Sequence, residues 1–131
     1  MLQYFLVAIG GAIGSVARYW MNGLVTERFR VGEVFPLGTL IVNVSGCFVI
    51  GFIATLTDAG GRFPALPATR TFFMVGLCGG YTTFSAFGLQ TLDLARDDQW
   101  LGMGMNVVLS VIACLFAVWL GHVAAMLLRR S

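Results

Sequence analysis

Residues 76–87 are the part of this chain whose side chains are best suited to ion chemistry. They read Gly-Leu-Cys-Gly-Gly-Tyr-Thr-Thr-Phe-Ser-Ala-Phe, which places glycines and hydroxyl groups inside an otherwise apolar stretch. In hydrocarbon every backbone polar group must find a partner, so a helix break in such a stretch is expected to line a cavity or an ion site. This segment is therefore the first candidate for a functional site.

The sequence predicts two half-helices that meet at this break. Gly79 and Gly80 are expected to allow it, because glycine adopts backbone conformations that other residues avoid. Hydroxyl groups can then bond the freed amides and cap the restarted helix, and they belong to Thr82, Thr83 and Ser85. The carbonyls that end the first half suit a small cation, whereas the amides that begin the second half suit an anion.

Two phenylalanines follow the predicted break. Phe84 and Phe87 are three residues apart and therefore share one face of the restarted helix. Packing or lipid contact is the ordinary role for an isolated pair of this kind. Beside hydroxyl groups at a break, the positive edge of each ring can also approach an anion. The residues alone leave both roles open.

Polar residues also recur at helical spacing in two other apolar stretches. Thr39 and Asn43 are four apart, and Asn106 and Ser110 repeat the spacing further along the chain, with Cys114 one turn later. Hydrogen bonds between helices could explain each pair. Two such tracks on separate helices favour a lined pathway instead.

The first apolar stretch carries an arginine well inside it. Arg18 would cost several kcal/mol there unless it reaches the interface, is paired or faces water. With Asn22 one turn later, it could line an aqueous vestibule that attracts anions, or it could cap carbonyls of the nearby break. Gly10 and Gly14, four residues apart, predict a face for close helix packing.

Composition identifies an integral membrane protein. The 131 residues are 58% hydrophobic and 11% charged, with a mean hydropathy of +0.87. Four apolar stretches each reach the roughly 20 residues that a helix needs to cross a bilayer, and they lie near 2–25, 36–57, 68–92 and 100–128. We therefore expect one four-helix membrane domain over residues 1–131, with the first stretch retained as a helix.

All eight basic residues are arginine, and the seven besides Arg18 are spread almost evenly between the two sides of the predicted bundle. One side carries Arg62, Arg70, Arg129 and Arg130, and the other carries Arg28, Arg30 and Arg96. So small a bias would permit insertion in both orientations and hence an antiparallel homodimer. The net charge of +2 is too small to favour a nucleic-acid partner.

Several chemistries lack the residues they need. The acidic residues fall in loops or at span ends, which argues against a proton-coupled exporter: Glu27, Glu33, Asp58, Asp93, Asp97 and Asp98. The spacing of Cys47, Cys78 and Cys114 fits no zinc or haem pattern, so we interpret them as structural thiols. The sequence offers no recognisable pair of a nucleophile and a general base, so it does not indicate an enzyme. Passive anion movement fits these observations better.

The chain resembles the Fluc (CrcB) family of fluoride channels across all four stretches. Three motifs carry the resemblance: Gly10-Gly11-x-x-Gly14-x-x-x-Arg18-Tyr19, Gly38-Thr39-Leu40-x-Val42-Asn43-x-x-Gly46 and Gly76-x-x-Gly79-Gly80-x-Thr82-Thr83-Phe84-Ser85-x-Phe87. The resemblance implies an all-α membrane protein with four transmembrane helices, the third broken at mid-membrane. It also implies a dual-topology antiparallel homodimer in the bacterial inner membrane, with two fluoride pores.

The resemblance also implies roles for individual residues. The fluoride pore would contain Asn43, Phe84 and Phe87, with Thr83 and Ser85 in the same break and Ser110, Asn106 and Thr39 on the polar tracks. A structural sodium ion at the dimer centre would be held by the main-chain carbonyls of Gly79 and Thr82. The chain departs from the family pattern at Asn106, Cys114 and Gln90, where tyrosine, serine and glutamate are familiar.

The implied function is passive, fluoride-selective export that relieves fluoride toxicity, without enzymatic activity. Fluoride holds its water tightly, so a series of donors must replace that hydration along a narrow path. Two alternatives are a small dual-topology multidrug exporter and a non-transporting membrane assembly subunit. Proton-independent flux would exclude the first, and flux by the purified chain would exclude the second.

Overall fold

The computed structural model describes residues 1–29 and 35–130, with only the backbone at Arg130; Arg30 and Glu33, counted above, lie outside these ranges. The described chain is all-helical, as the sequence predicts. Its elements are α1 Leu2–Phe29, α2 Leu37–Leu56, α3 Pro67–Arg70, a π-helical segment Thr71–Cys78, α4 Gly79–Tyr81, α5 Phe84–Arg96 and α6 Trp100–Arg130.

Three helical stretches within the described ranges are long and apolar enough to cross a membrane. They are Leu37–Leu56, Pro67–Arg96 and Trp100–Arg129, and they confirm a multi-pass membrane protein. Helix α1 is not among the three, because Gln3 and Arg18 lower its hydropathy. Its role as a further span stays a prediction.

Helix α1 packs against residues 67–81 through glycines on both sides. A Cβ placed on Gly14 would overlap the Leu77 carbonyl oxygen, and one on Gly80 would lie 2.6 Å from the carbonyl oxygen of Gly11. Such close backbone approach is what a stripe of small residues permits. The predicted packing face on α1 is therefore confirmed.

Helices α2 and α6 run parallel and in close contact. A Cβ on Gly51 would overlap the carbonyl oxygen of Val118, and Thr55 Oγ1 lies 2.8 Å from His122 Nδ1. Both pairs are 67 residues apart in sequence, so residue i of α2 stands beside residue i+67 of α6 along this interface. This register determines which polar side chains of the two helices meet.

The third apolar stretch, Pro67–Arg96, contains a helix break, but the break does not lie at Gly79 and Gly80. Gly79 is helical, with φ −64° and ψ −36°, and no described glycine has a positive φ. The prediction that Gly79 and Gly80 permit the break is therefore wrong. Gly80 serves packing instead, since its missing side chain lets the backbone of α1 approach closely at Gly11. The break lies at Thr82 and Thr83, whose ψ angles are 158° and 117°. Branching at Cβ favours such extended backbone.

The α1 contact gives a test of this packing. We expect Gly14→Ala to lower the free energy of unfolding by about 1–3 kcal/mol, because the new methyl group would meet backbone rather than a movable side chain. Gly11→Ala is the matched control, since a Cβ there meets nothing within 4 Å. Thermal unfolding in detergent measures both. Equal midpoints for the two variants would contradict the assigned packing.

Candidate functional site

The amide of Asn43 holds the break from the neighbouring helix α2. Its Nδ2 donates to the Thr83 carbonyl oxygen at 3.0 Å, and the Thr83 backbone N–H donates to its Oδ1 at 2.8 Å. One side chain thus satisfies both backbone groups of an extended residue that has no strand partner. The amide nitrogen has a second N–H, which this pair of bonds does not use.

Thr83 also caps the restarted helix. Its Oγ1 accepts from the Ala86 backbone N–H at 3.2 Å and lies 3.2 Å from Ser85 Oγ. A hydroxyl at this position satisfies one of the amides that a helix start leaves free. The capping role predicted for Thr83 is therefore confirmed, and Ser85 lies beside it as expected.

The two rings after the break lie together. The centroids of Phe84 and Phe87 are 5.2 Å apart, with the ring planes tilted by 44°. Phe84 is 81% exposed, although it follows the break directly. A second molecule or lipid must therefore cover this ring in a membrane.

A cavity of about 350 Å³ lies beside the break, and we name it the phenylalanine cavity. It brings together residues from the break, α2 and α6, which are Asn43, Cys47, Thr82, Thr83, Phe84, Phe87, Ser110, Val111, Cys114 and Leu115. Five of the predicted pore residues thus share one wall. The register of α2 and α6 explains why Asn43 and Ser110 meet here.

A second cavity of about 290 Å³ shares Thr83 with the phenylalanine cavity, and we name it the arginine cavity. Its lining contains the predicted vestibule residue Arg18 together with Ser15, Tyr19, Asn22, Thr39, Val42, Thr83, Ala86 and Gln90. Thr83 lines both cavities. The break therefore separates or joins the two cavities at a single residue, Thr83.

The α6 track forms a hydrogen-bonded chain. Asn106 Nδ2 donates to Thr91 Oγ1 at 2.9 Å, and that hydroxyl donates to the Phe87 carbonyl oxygen at 2.7 Å. Ser110 Oγ donates to Asn106 Oδ1 at 3.4 Å. Asn106 is 2% exposed and lines neither cavity, so it supports Ser110 and α5 from behind.

Two carbonyls at the break lose their helical donors. In a continuous helix Thr83 N–H would bind the Gly79 carbonyl and Ala86 N–H the Thr82 carbonyl. Here those two amides donate instead to Asn43 Oδ1 and Thr83 Oγ1. Carbonyl oxygens freed in this way are suitable ligands for a hard cation such as sodium.

Sequence reasoning missed two residues that hold this site. Tyr81 places its hydroxyl 2.9 Å from Ser45 Oγ, which ties the end of the first half to α2. Thr91 links Asn106 to α5. The signal for Thr91 was weak but present, because a hydroxyl one turn beyond Phe87 continues the face that carries the ring.

Comparison with known proteins gives a match over most of the chain. The family model described as "CrcB-like protein, Camphor Resistance (CrcB)" matches residues 5–122. A relative from Paramagnetospirillum magneticum named "Fluoride-specific ion channel FluC" is 55% identical over 99% of this chain and 100% of its own length. Relatives of that name from Rhodospirillum rubrum and Opitutus terrae are 55% and 54% identical, over 99% and 95% of this chain and 99% and 93% of their own lengths.

The Asn43 bonds predict a local effect on backbone protection. We expect Asn43→Leu to speed amide hydrogen exchange in residues 80–87 by about tenfold or more, because two hydrogen bonds worth roughly 1 kcal/mol each are lost. Exchange mass spectrometry measures this. Asn106→Leu is the control, since its partners lie on α5 and α6 and exchange at the break should stay unchanged. Unaltered protection in Asn43→Leu would contradict the assigned role.

Proposed function

Because this chain belongs to the CrcB-like protein family, we propose that it is a fluoride-selective passive channel that lets cytoplasmic fluoride leave the cell. The observation that carries the proposal is the meeting of two cavities at Thr83, one lined by donors and aromatic rings and the other by Arg18. The names of the relatives supply the identity of the ion. Relief of fluoride toxicity would follow from such export.

The proposed path begins with charge attraction. Arg18 would raise the local concentration of anions in the arginine cavity, where Asn22 and Thr39 supply further polar contacts. A fluoride ion that moves from the arginine cavity toward Thr83 must lose its water of hydration. The side chains around Thr83 would replace that water one donor at a time.

In the phenylalanine cavity the proposed donors are of two kinds. The free N–H of Asn43 and the hydroxyl of Ser110 offer hydrogen bonds, and the edges of Phe84 and Phe87 offer positive ring hydrogens. Ser85 does not line this cavity and would act through its contact with Thr83. Ring edges are rigid, so they would not move apart to admit a larger halide. Asn106 would act through Ser110, which it bonds.

We propose that two chains form an antiparallel dimer of four-helix protomers with α1 as the fourth span. The exposed Phe84 beside the break and the nearly even split of arginines support this arrangement.

Dual topology would leave an exposed loop residue on both sides of the membrane. In a background without the native cysteines, Gly60→Cys should then react with a membrane-impermeant maleimide in about half of the molecules.

A sodium ion is proposed between the two chains. The carbonyls of Gly79 and Thr82 have lost their helical donors and would supply two oxygens from each chain, in keeping with the hard ligands that such a cation takes. The ion would join the paired breaks and fix their spacing. No step of fluoride movement depends on chemistry at the ion.

The main alternative is a proton-coupled multidrug exporter. Such a protein needs an ionisable group in its pathway. The described residues that line the two cavities include no aspartate or glutamate. An assembly subunit without transport is the other alternative, and a flux measurement on the purified chain separates it from a channel.

Flux from liposomes tests the proposed function. Vesicles loaded with potassium fluoride should release fluoride rapidly once valinomycin is added, whereas vesicles loaded with potassium chloride should release little. Ion-selective electrodes follow both anions. Absence of fluoride release from folded protein would reject the channel and favour the assembly subunit.

The same assay tests the ring edges. We expect Phe84→Ile and Phe87→Ile each to slow fluoride release about fivefold, because a ring-edge contact is worth roughly 1 kcal/mol. Phe116→Ile is the matched control, since this exposed phenylalanine of α6 lines neither cavity. A rate of fluoride release in Phe84→Ile equal to that of the wild type would show that this ring does not line the path.

The sodium content of the purified protein tests the proposed cation site and the proposed dimer together. Protein transferred from sodium buffer into sodium-free buffer should retain about one sodium per two chains, as measured by atomic absorption. Gel filtration of the same sample reports its assembly state. An intact dimer that retains no sodium would contradict the cation site, and a folded monomer would contradict both.

A further inference from the structure

We propose that Cys47 and Cys114 form a two-thiol site for a soft, thiophilic metal cation such as Hg²⁺, Ag⁺ or Cu⁺ in the wall of the phenylalanine cavity. Both side chains line this cavity and both are unpaired, half-buried cysteines. The sequence interpretation of these residues as structural thiols does not account for this placement. Their separation of 67 residues conceals the pairing in the sequence.

The register of α2 and α6 brings the two thiols together. Gly51 touches Val118, and Cys47 and Cys114 each stand one turn before those residues on parallel helices. At this register both side chains line the same wall of the phenylalanine cavity. The two helices therefore present both thiols to one space.

The composition of this wall selects the kind of metal. Its nearest apolar neighbours along α6 are Val111 and Leu115, and the described lining includes no carboxylate or imidazole. Hard cations prefer oxygen ligands, and zinc in structural sites takes four ligands. Two thiolates alone suit soft cations that accept two sulfur ligands.

Binding requires no oxidant. Each S–H bond breaks as an S–metal bond forms, so Hg²⁺ displaces two protons and neither sulfur changes its oxidation state. The resulting mercury dithiolate is neutral, which suits an apolar wall. A metal held here would narrow the cavity beside Asn43 and Phe87.

Mercury retention tests the site without any flux measurement. Purified protein in detergent receives an equimolar amount of mercuric chloride and is then desalted in excess 2-mercaptoethanol. Two thiols on fixed helices should retain mercury in competition with the monothiol, because the second sulfur–mercury bond forms within one molecule. Elemental mass spectrometry then counts mercury per chain.

We expect the wild type to retain about one mercury per chain, and Cys47→Ser and Cys114→Ser to retain roughly tenfold less. Cys78→Ser is the matched control, because Cys78 is buried and does not line this cavity. Equal retention by Cys47→Ser and the wild type, or loss in Cys78→Ser, would overturn the proposal. Gel filtration verifies that each variant is folded.

Proton release from the wild type gives a second measurement that needs no variant. Mercury bound by both thiols should release about two protons per metal ion, whereas binding by a single thiol releases about one. One proton per mercury would overturn the proposal. Neither readout involves fluoride, so failure of this site and failure of the proposed channel are distinguishable.

Discussion

A helix that breaks inside hydrocarbon must satisfy the backbone groups that the break releases, and the features of this site follow from how that is done. Asn43 binds both the N–H and the C=O of Thr83, and the Thr83 hydroxyl binds the next free amide, that of Ala86. These bonds draw two amides away from the carbonyls of Gly79 and Thr82. One small set of hydrogen bonds thus orients the Asn43 amide and frees the two carbonyls that we propose as cation ligands.

The frame around the break is stiff because backbones touch without intervening side chains. Glycines let α1 lie against residues 67–81 and let α2 lie against α6. Dehydrating a small anion requires donors that do not relax toward water, and a frame of this kind holds donors in place. The proposed selectivity of the donors therefore depends on the close packing that these glycines allow.

Much of this arrangement could be predicted from local sequence. Hydrophobic length predicts the three helices that are long and apolar enough to cross a membrane, and the hydroxyl of Thr83 predicts a helix cap. The role of Gly80 was predicted wrongly, because a glycine can serve either a bend or a close approach and its sequence context is the same in both cases. Only the structure shows that Gly80 lies against the backbone of α1.

Long-range pairings could not be predicted in the same way. Asn43 and Thr83 are 40 residues apart, and Cys47 meets Cys114 only through the register of two helices. Helical periodicity places a residue on a face but does not say which neighbour that face meets. Asn106 shows the same limit, since its spacing predicted a pore residue and the structure places it behind Ser110.

The central claim is that both cavities belong to one anion path that passes Thr83. The most direct measurement is fluoride release from liposomes containing Thr83→Val, which keeps the branched shape but removes the hydroxyl that caps α5 and contacts Ser85. We predict a folded protein with fluoride flux reduced about tenfold or more, consistent with the loss of hydrogen bonds worth roughly 1 kcal/mol each. Unchanged flux from the folded variant would contradict the claim that the path runs past this hydroxyl.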